Sequence, residues 1–311
     1  MSEQRARILL PFAIFCAIMA VSTASVFIRF AQRDAPSLVI AAYRLTLASI
    51  FIAPIALIHY RAELRNLTRT DVLLGLLSGI FLALHFATWI SSLEYTTVAS
   101  SVVLVSTSPL WVALLAPLIL REALTRSVLL GMILALLGGM IIGMSDSCSF
   151  QERLACPALS EFVKGEAFLG NVLALAGSFA VAGYLMIGRR LRRKMSLVPY
   201  IFIVYSVASL LLIAIMLGAG ESPIGYPKLT YLWMLLLAII PQLIGHSTFN
   251  WSLRYLPAAF VAITTLGEPI GSITLAYYIL QEVPSLIKIL GALLILFGIY
   301  TASQPGSFQS K

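Results

Sequence analysis

The sequence predicts an all-α polytopic membrane protein with ten transmembrane helices, arranged as two inverted five-helix repeats. Three observations support this prediction: the composition, the spacing of the apolar runs, and a self-match of the chain at an offset of 160 residues. The 311 residues are 60% hydrophobic and 11% charged, whereas a soluble domain is about 45–50% apolar and about 25% charged. With a mean hydropathy of +0.96, the chain leaves no room for a soluble domain.

Ten apolar runs, each bounded by charged or turn-forming residues, supply the predicted helices. A helix needs about 20 apolar residues to cross the hydrocarbon core of a bilayer. The runs cover residues 8–30, 37–58, 71–92, 97–120, 127–144, 167–188, 197–218, 230–252, 256–280 and 286–303. We therefore expect a first repeat in residues 1–145, an extracytoplasmic loop at 146–166, a second repeat in 167–303 and a cytoplasmic tail at 304–311.

The second half of the chain repeats the first at the offset of 160 residues. The matched pairs are Leu93 and Leu253, Tyr95 and Tyr255, Ala99 and Ala259, Pro109 and Pro269, Glu122 and Glu282, Gly131 and Gly291, and Gly138 and Gly298. Because each half holds an odd number of predicted spans, the second copy enters the membrane upside down. Such inverted repeats are related by a pseudo-two-fold axis in the membrane plane and are typical of secondary transporters.

The distribution of Lys and Arg predicts the orientation. With the N-terminus in the cytoplasm, the inner side receives 14 of the 21 basic residues, including the cluster at 189–194. The positive-inside rule therefore favours cytoplasmic termini. A basic cluster between two apolar runs sets the topology of a membrane protein. Membrane lipid is therefore the expected partner, and nucleic acid is not. The first run resembles a signal peptide, but its apolar character continues to Ile28, and we expect it to be retained.

Two cysteines, Cys148 and Cys156, share the predicted extracytoplasmic loop. On an oxidising face they form either a disulfide or two free thiols. The cysteines have no metal-binding spacing, and neither a metal nor a cofactor is expected.

Glu268 is the most informative single residue, because it falls near the middle of the run 256–280. A carboxylate at that depth is costly and usually functional. Thr264, Glu268 and Ser272 follow at four-residue steps, and Pro269 frees backbone groups beside the carboxylate. Two roles are open for Glu268. In a functional role it couples transport to protons or binds a substrate ammonium group; in a structural role it is a protonated acid that bonds to a neighbouring helix.

The residue that matches Glu268 in the first half is Ser108, which precedes Pro109. Thr97, Ser101 and Ser108 fall on one predicted helical face. The first half therefore repeats the proline and the polar face but not the charge, which predicts asymmetric chemistry at the centre.

Histidines mark two further polar faces, His85 with Trp89 and His246 with Gln242 and Asn250. Histidine can bind a substrate, relay protons or simply bond to a backbone. The repeat places His85 toward the outer side and His246 toward the inner side. Trp89 either lines a cavity or belongs to an interfacial aromatic belt.

Arg44 lies about a third of the way into the second run, and a guanidinium there must pair, snorkel or face water. It is either a gate or a partner for a substrate carboxylate, or else a salt bridge between helices, with Glu268 or Glu94 as its counter-ion. Tyr43 and Tyr184 are further candidates for a cavity wall.

Small residues at four-residue spacing predict close helix packing in the fifth and tenth spans. They are Gly131, Ala135, Gly139 and Gly143, with Gly291, Gly298 and Ala302 in the tenth span. This packing is either internal or part of a homodimer.

The paired strings Leu93-Glu94-Tyr95 and Leu253-Arg254-Tyr255, each followed by the proline and glutamate of its repeat, resemble the EamA-type branch of the drug/metabolite transporter superfamily. The resemblance implies a carrier of the bacterial inner membrane with a central cavity and alternating access. Within that branch, the chain is similar to the aromatic amino-acid exporters. The chain departs from many members in lacking an acid at Ser108 and a tryptophan in the first run.

We therefore predict a secondary transporter, most readily an exporter of small polar or amphipathic metabolites such as amino acids, with protons as a candidate coupling ion. An uptake permease or facilitator for similar solutes is the alternative within transport. A non-transporting membrane scaffold or lipid-interacting protein is the alternative outside it. No motif of a metalloprotease, serine hydrolase or P-loop enzyme is present, so an enzyme is not expected.

Overall fold

The structure is a computed structural model, and it describes residues 3–119, 126–147, 149–150, 154–155, 165–256 and 258–302. The helices of the first half are α1 Glu3–Ser22, α2 Ala24–Ala31, α3 Ser37–His59, α4 Arg61–Arg65, α5 Arg69–Tyr95, α6 Val98–Val105, α7 Ser108–Ile119 and α8 Arg126–Ser147. Two short strands, β1 Ser149–Phe150 and β2 Leu154–Ala155, pair antiparallel in the loop between the halves.

The second half is also helical, with two π-helical segments. Its α-helices are α9 Glu166–Arg192, α10 Leu197–Gly218, α11 Lys228–Leu237, α12 Ser247–Ser252, α13 Ala258–Thr264, α14 Gly267–Leu275 and α15 Leu286–Ala302. The π-helical segments are Ala238–His246, which joins α11 to α12, and Ala276–Leu280, which extends α14. The predicted all-α membrane fold is therefore confirmed.

Within the described residues, eight segments are long and apolar enough to cross a membrane. The two other predicted spans coincide with α8 and α15, whose apolar stretches Leu129–Gly139 and Leu286–Gly298 are shorter. Ten crossings are therefore a proposal rather than an observation.

Helices α3 and α10 show that a two-fold axis relates the halves. The Thr46 Oγ1 atom lies 2.6 Å from Ser209 Oγ, and Ser49 Oγ lies 2.7 Å from Ser206 Oγ. Ser206 and Ser209 stand 160 residues after Thr46 and Ser49, so exchanging the halves exchanges the two contacts. The residue numbers run in opposite directions along the pair, so the helices are antiparallel. A two-fold axis that relates two antiparallel helices must be perpendicular to both of them.

Helices α8 and α15 repeat the same relation through their glycines. A Cβ atom added at Gly138 would lie 2.6 Å from the Gly291 carbonyl oxygen, and one added at Gly298 would lie 2.6 Å from the Gly131 carbonyl oxygen. Gly298 and Gly291 stand 160 residues after Gly138 and Gly131. Exchanging the two halves therefore exchanges these two contacts as well. Backbones approach this closely only where side chains are absent.

The predicted glycine face is correct in part. Gly131 takes part in the close approach, but the second glycine of α8 that does so is Gly138, seven residues later. Gly139 instead faces Leu104, whose Cδ2 atom would lie 3.6 Å from an added Cβ. A spacing of seven residues suits a long antiparallel contact, because it keeps the same face over two turns.

Side chains at the helix ends follow the same symmetry. Arg29 donates a hydrogen bond to the Leu93 carbonyl, and Arg189 donates to the Leu253 carbonyl at 2.5 Å. Two further bonds are related in the same way, from Gln32 to the Ile90 carbonyl at 2.9 Å and from Arg192 to the Asn250 carbonyl at 3.0 Å. The repeat in the sequence is thus matched by pairs of equivalent contacts in the structure.

One helix in each half is broken at its centre. Helix α6 ends at Val105 and α7 begins at Ser108, while α13 ends at Thr264 and α14 begins at Gly267. Pro109 and Pro269 stand in the first turn of the second segment, a position that tolerates the missing amide donor. Backbone hydrogen bonds continue through both breaks, including Ser106 N–H to the Val102 carbonyl at 3.1 Å and Glu268 N–H to the Thr265 carbonyl at 2.9 Å.

Some of the sequence predictions lie outside the described residues. These are the possible disulfide between Cys148 and Cys156, the position of Glu122, and the tail at 304–311.

The glycine contact yields a prediction about stability. We expect Gly138→Ala to lower the free energy of unfolding by about 1–3 kcal/mol, because the added methyl group overpacks α8 against α15. Gly139→Ala is the matched control, and it should be neutral or slightly stabilising, since its methyl group meets only an ordinary contact. Thermal melting of the two detergent-solubilised variants measures this. Equal melting temperatures would contradict the assigned interface.

Candidate transport site

A cavity lies at the centre of the bundle, where the two broken helices meet. The space between its walls is about 560 Å³, including the part that is open to the outside. Apolar and aromatic side chains form most of its wall, with a few polar groups among them. The lining residues are His85, Trp89, Val105, Ser106, Ser108, Val181, Tyr184, Leu185, His246, Phe249, Thr265 and Glu268.

Glu268 carries the only carboxylate among the described residues of this wall. It stands in the first turn of α14, and its own amide donates to the Thr265 carbonyl at 2.9 Å. Its mate Ser108 begins α7 and lines the same cavity. The structure therefore brings the two positions together, and the charge is present on one side only.

The histidines lie side by side in the cavity wall. Their ring centroids are 6.4 Å apart, and the His85 ring stacks on Trp89 at 5.8 Å. The His85 Nδ1–H group donates to the Gly177 carbonyl at 2.9 Å, which leaves Nε2 for the cavity. The sequence placed the two histidines toward opposite sides of the membrane, whereas the structure brings both into the wall of one cavity. Trp89 is buried in the cavity wall rather than in an interfacial belt.

The polar face predicted on the ninth span is displaced by one residue. Thr265 lines the cavity with Glu268, whereas Thr264 does not, although the hydroxyl of each threonine donates to the carbonyl three residues before it. Ser272 is fully buried and donates to the Ser22 carbonyl at 3.1 Å. The break after Thr264 accounts for the shift from residue 264 to residue 265, since four-residue periodicity holds only along a continuous helix.

The fourth span shows the same effect. Ser106, within the break, lines the cavity together with Ser108. Ser101 instead lies 2.6 Å from the Ser92 hydroxyl, and Thr97 caps α6 by accepting from the Ser100 amide at 3.3 Å. The predicted face of three residues therefore supplies only Ser108 to the site.

Gln242 and Asn250 support the site from behind, and neither lines the cavity. Both are fully buried. The Tyr184 hydroxyl donates to Asn250 Oδ1 at 2.7 Å, which fixes a tyrosine ring of the wall. The predicted common face with His246 is lost because the π-helical segment has a wider turn than an α-helix.

Arg44 is fully buried beside the cavity. Its Nε–H group donates to Gln242 Oε1 at 2.9 Å, and its guanidinium carbon lies 4.1 Å from the Phe86 ring centroid and 6.0 Å from that of Trp89. Its charge acts on Glu268, although the two form no ion pair. Glu94, the other candidate counter-ion, accepts from the backbone N–H of Ser37 at 3.0 Å and from its hydroxyl at 2.5 Å.

Tyr43 does not reach the cavity. Its hydroxyl donates to the Pro223 carbonyl at 2.8 Å, and its ring lies 5.5 Å from that of Tyr231. Tyr43 therefore holds the loop after α10 at one end of the bundle. Over the part of the chain that the structure describes, no three His, Cys, Asp or Glu side chains lie close enough together to hold a metal.

Comparison with known proteins gives the family of this chain. The profile of the EamA-like transporter family matches residues 9–144 and again residues 168–304. The chain belongs to the EamA-like transporter family. The two matches coincide with the two halves related by the pseudo-two-fold axis.

Relatives of the EamA-like chain carry transporter names without a cargo. An uncharacterized transporter of Archaeoglobus fulgidus is 24% identical over 283 residues, which are 90% of this chain and 92% of that protein. The uncharacterized transporter YyaM of Bacillus subtilis is 22% identical over 248 residues, 78% of this chain and 75% of its own. A solved crystal structure superimposes with a TM-score of 0.65 at 17% identity, covering 94% of this chain and 96% of the other, and it supports the fold alone.

An ion pair joins the two EamA repeats at one end of the bundle, and sequence reasoning missed it. Arg29 Nη2 lies 3.3 Å from Glu282 Oε1, and Glu282 Oε2 accepts from the Val98 amide at 2.9 Å. Lys288 Nζ donates to Thr97 Oγ1 at 3.0 Å across the same boundary. The sequence did contain one indication of this contact. Glu282 ends the duplicated proline-to-glutamate spacing, which is the most specific part of the repeat.

The displaced face yields a prediction about accessibility. In a variant without native cysteines, Thr265→Cys should react with a small water-soluble thiosulfonate, because residue 265 lines the cavity. Ser272→Cys, two turns away on the same span, should react at least tenfold more slowly because its side chain is fully buried. Mass spectrometry of the labelled protein measures both rates. Equal rates, or faster labelling at residue 272, would show that the cavity wall is misassigned.

Proposed function

We propose that this EamA-like protein is a secondary transporter that moves small amphipathic metabolites, with amino acids as the leading class, across the bacterial cytoplasmic membrane. The observation that carries the proposal is the central cavity between two broken helices with one carboxylate at a helix N-terminus. We further propose ten crossings, two inverted repeats of five spans, and both termini in the cytoplasm. Export is the direction favoured by the similarity to amino-acid exporters.

The composition of the cavity wall supports an amphipathic cargo. Trp89, Phe249, Val181 and Leu185 provide apolar surface, whereas the histidines and serines provide hydrogen-bonding groups. A polar wall without apolar surface would suit an ion, and an apolar wall without charge would suit a lipid.

The ion pair between Arg29 and Glu282 supports alternating access. In the proposed orientation it lies on the outer side, where it joins α2 and the start of α6 to the segment before α15. Opening the cavity outward requires this contact to break. The pair is half-buried, and Arg29 also donates to the Leu93 and Thr96 carbonyls, so cargo binding must offset the loss of these contacts to shift the equilibrium between states.

Glu268 is the proposed coupling group. It is the cavity's single carboxylate, and it is free to exchange a proton or to bind a cargo ammonium group because no ion pair holds it in the described structure. Competition of a proton and a cationic group for one carboxylate couples their movements, which is the simplest form of antiport.

Counterflow in proteoliposomes tests the proposed function. Vesicles loaded with one unlabelled amino acid should accumulate the same labelled amino acid, and a panel of amino acids and related metabolites identifies the class. A proton gradient, acid outside, should increase export. If no member of the panel shows counterflow above protein-free vesicles, the proposed function is wrong.

The role of Glu268 gives a prediction within that assay. Glu268→Gln keeps the size of the side chain but removes its charge, so we expect gradient-driven transport to fall at least tenfold and its pH dependence to disappear. Glu166→Gln is the matched control, because Glu166 is exposed at the start of α9, and it should transport as the unmodified protein does. Retained pH dependence in Glu268→Gln would rule out Glu268 as the coupling group.

A further inference from the structure

Arg44 is a buried charge that the protein leaves largely unsatisfied. Its Nε–H group is bonded to Gln242, but neither terminal nitrogen, Nη1 or Nη2, has an acceptor from the protein. Arginine carries five N–H donors and is always charged. A buried charge without compensation is costly, so its position beside the cavity calls for a functional explanation.

Two neighbours of Arg44 have the same deficiency. The Nε1–H group of Trp89 and the Nε2 amide group of Gln242 are buried and also lack an acceptor from the protein. Gln242 is bonded to Arg44, and Trp89 lies against it. All the unsatisfied groups in this cluster are donors. The missing partner is therefore an acceptor, and beside a guanidinium it is an anion.

No acid described in the protein supplies that anion. Glu94 is bonded to Ser37, Glu282 pairs with Arg29, and Asp71 pairs with Lys194. Glu268 acts on Arg44 electrostatically but faces the cavity.

Arg192 shows how this fold treats an arginine with a structural role. It is as deeply buried as Arg44, yet it donates to the backbone carbonyls of Asn250 and Met195. Each of these acceptors belongs to the protein and is close in space to the end of α9. The contrast indicates that the unsatisfied donors of Arg44 are not a general consequence of burying arginine.

The surroundings of Arg44 select the kind of anion. A guanidinium presents two parallel donors that match the two oxygens of a carboxylate. One guanidinium enclosed by Phe86 and Trp89 balances a single negative charge, and a doubly charged phosphate would be left uncompensated. Trp89 contacts Arg44 and also lines the cavity, so a movement of the indole ring opens the guanidinium to a bound molecule.

We propose that Arg44, together with the N–H groups of Trp89 and Gln242, binds the carboxylate of the cargo. This inference rests on the proposed transport function and deepens it, because it requires a cargo with a free carboxylate. With Glu268 in the same cavity as partner for an ammonium group, the cargo is a zwitterion, and an amino acid has both groups on one carbon atom.

Substrate analogues test the proposal on the unmodified protein. Proteoliposomes are loaded with L-phenylalanine, L-phenylalaninamide or phenethylamine, and counterflow of each labelled compound is measured; L-leucine, L-leucinamide and isopentylamine form a second series. We expect each amino acid to be transported at least tenfold faster than its amide and its amine. Equal transport of the three compounds in both series would overturn the carboxylate site while leaving the transport function standing. Transport of none of them, nor of any other compound in the panel, would refute the proposed function itself.

Two variants separate recognition from a structural role. Arg44→Gln should abolish the preference for the amino acid over the amide. Gln242→Glu places a carboxylate on Arg44 within the protein, so it should raise the melting temperature while reducing amino-acid counterflow at least tenfold. Arg33→Gln is the control, because Arg33 is exposed and lies over Phe30, and it should retain the preference. A stabilised Gln242→Glu protein that transports amino acids normally would show that Arg44 only holds helices together.

Discussion

Backbone polar groups inside a membrane must be hydrogen-bonded, and this constraint governs the centre of the protein. Helices are broken there only where the freed groups face protein or a cavity. The chain breaks one helix in each half, after Val105 and after Thr264, and the pseudo-two-fold axis brings both breaks to one level. Residues at both breaks line the cavity.

The same symmetry determines how the two halves of the surrounding bundle contact each other. Helix α3 meets α10, and α8 meets α15, through contacts that are exchanged when the halves are exchanged. Each of these pairs crosses the boundary between repeats. The halves are therefore joined through two separate helix pairs. The proposed site departs from the symmetry, because Glu268 and its mate Ser108 line one cavity with a single carboxylate, and Arg44 corresponds to Val204.

The sequence predicted the repeat, the membrane fold and the neighbourhood of both prolines, because these depend on composition and on a long offset that a local irregularity does not disturb. It misplaced individual side chains by one residue. Thr264 was expected where Thr265 lies, since the helix was assumed to be continuous, and Gln242 was expected on the face of His246, since the π-helical segment left no mark in the sequence. The partner of Arg44 could not be predicted, because burial without an acceptor is a property of the packed structure.

The central claim is that one cavity is exposed to the two sides of the membrane in turn. It is tested most directly by measuring the labelling of a single cysteine at position 265 by a membrane-impermeant thiol reagent, in right-side-out and in inside-out vesicles, with and without amino acid. The account predicts labelling from both sides, with the ratio of the two rates shifted when cargo is added. Labelling from one side only under every condition would contradict it.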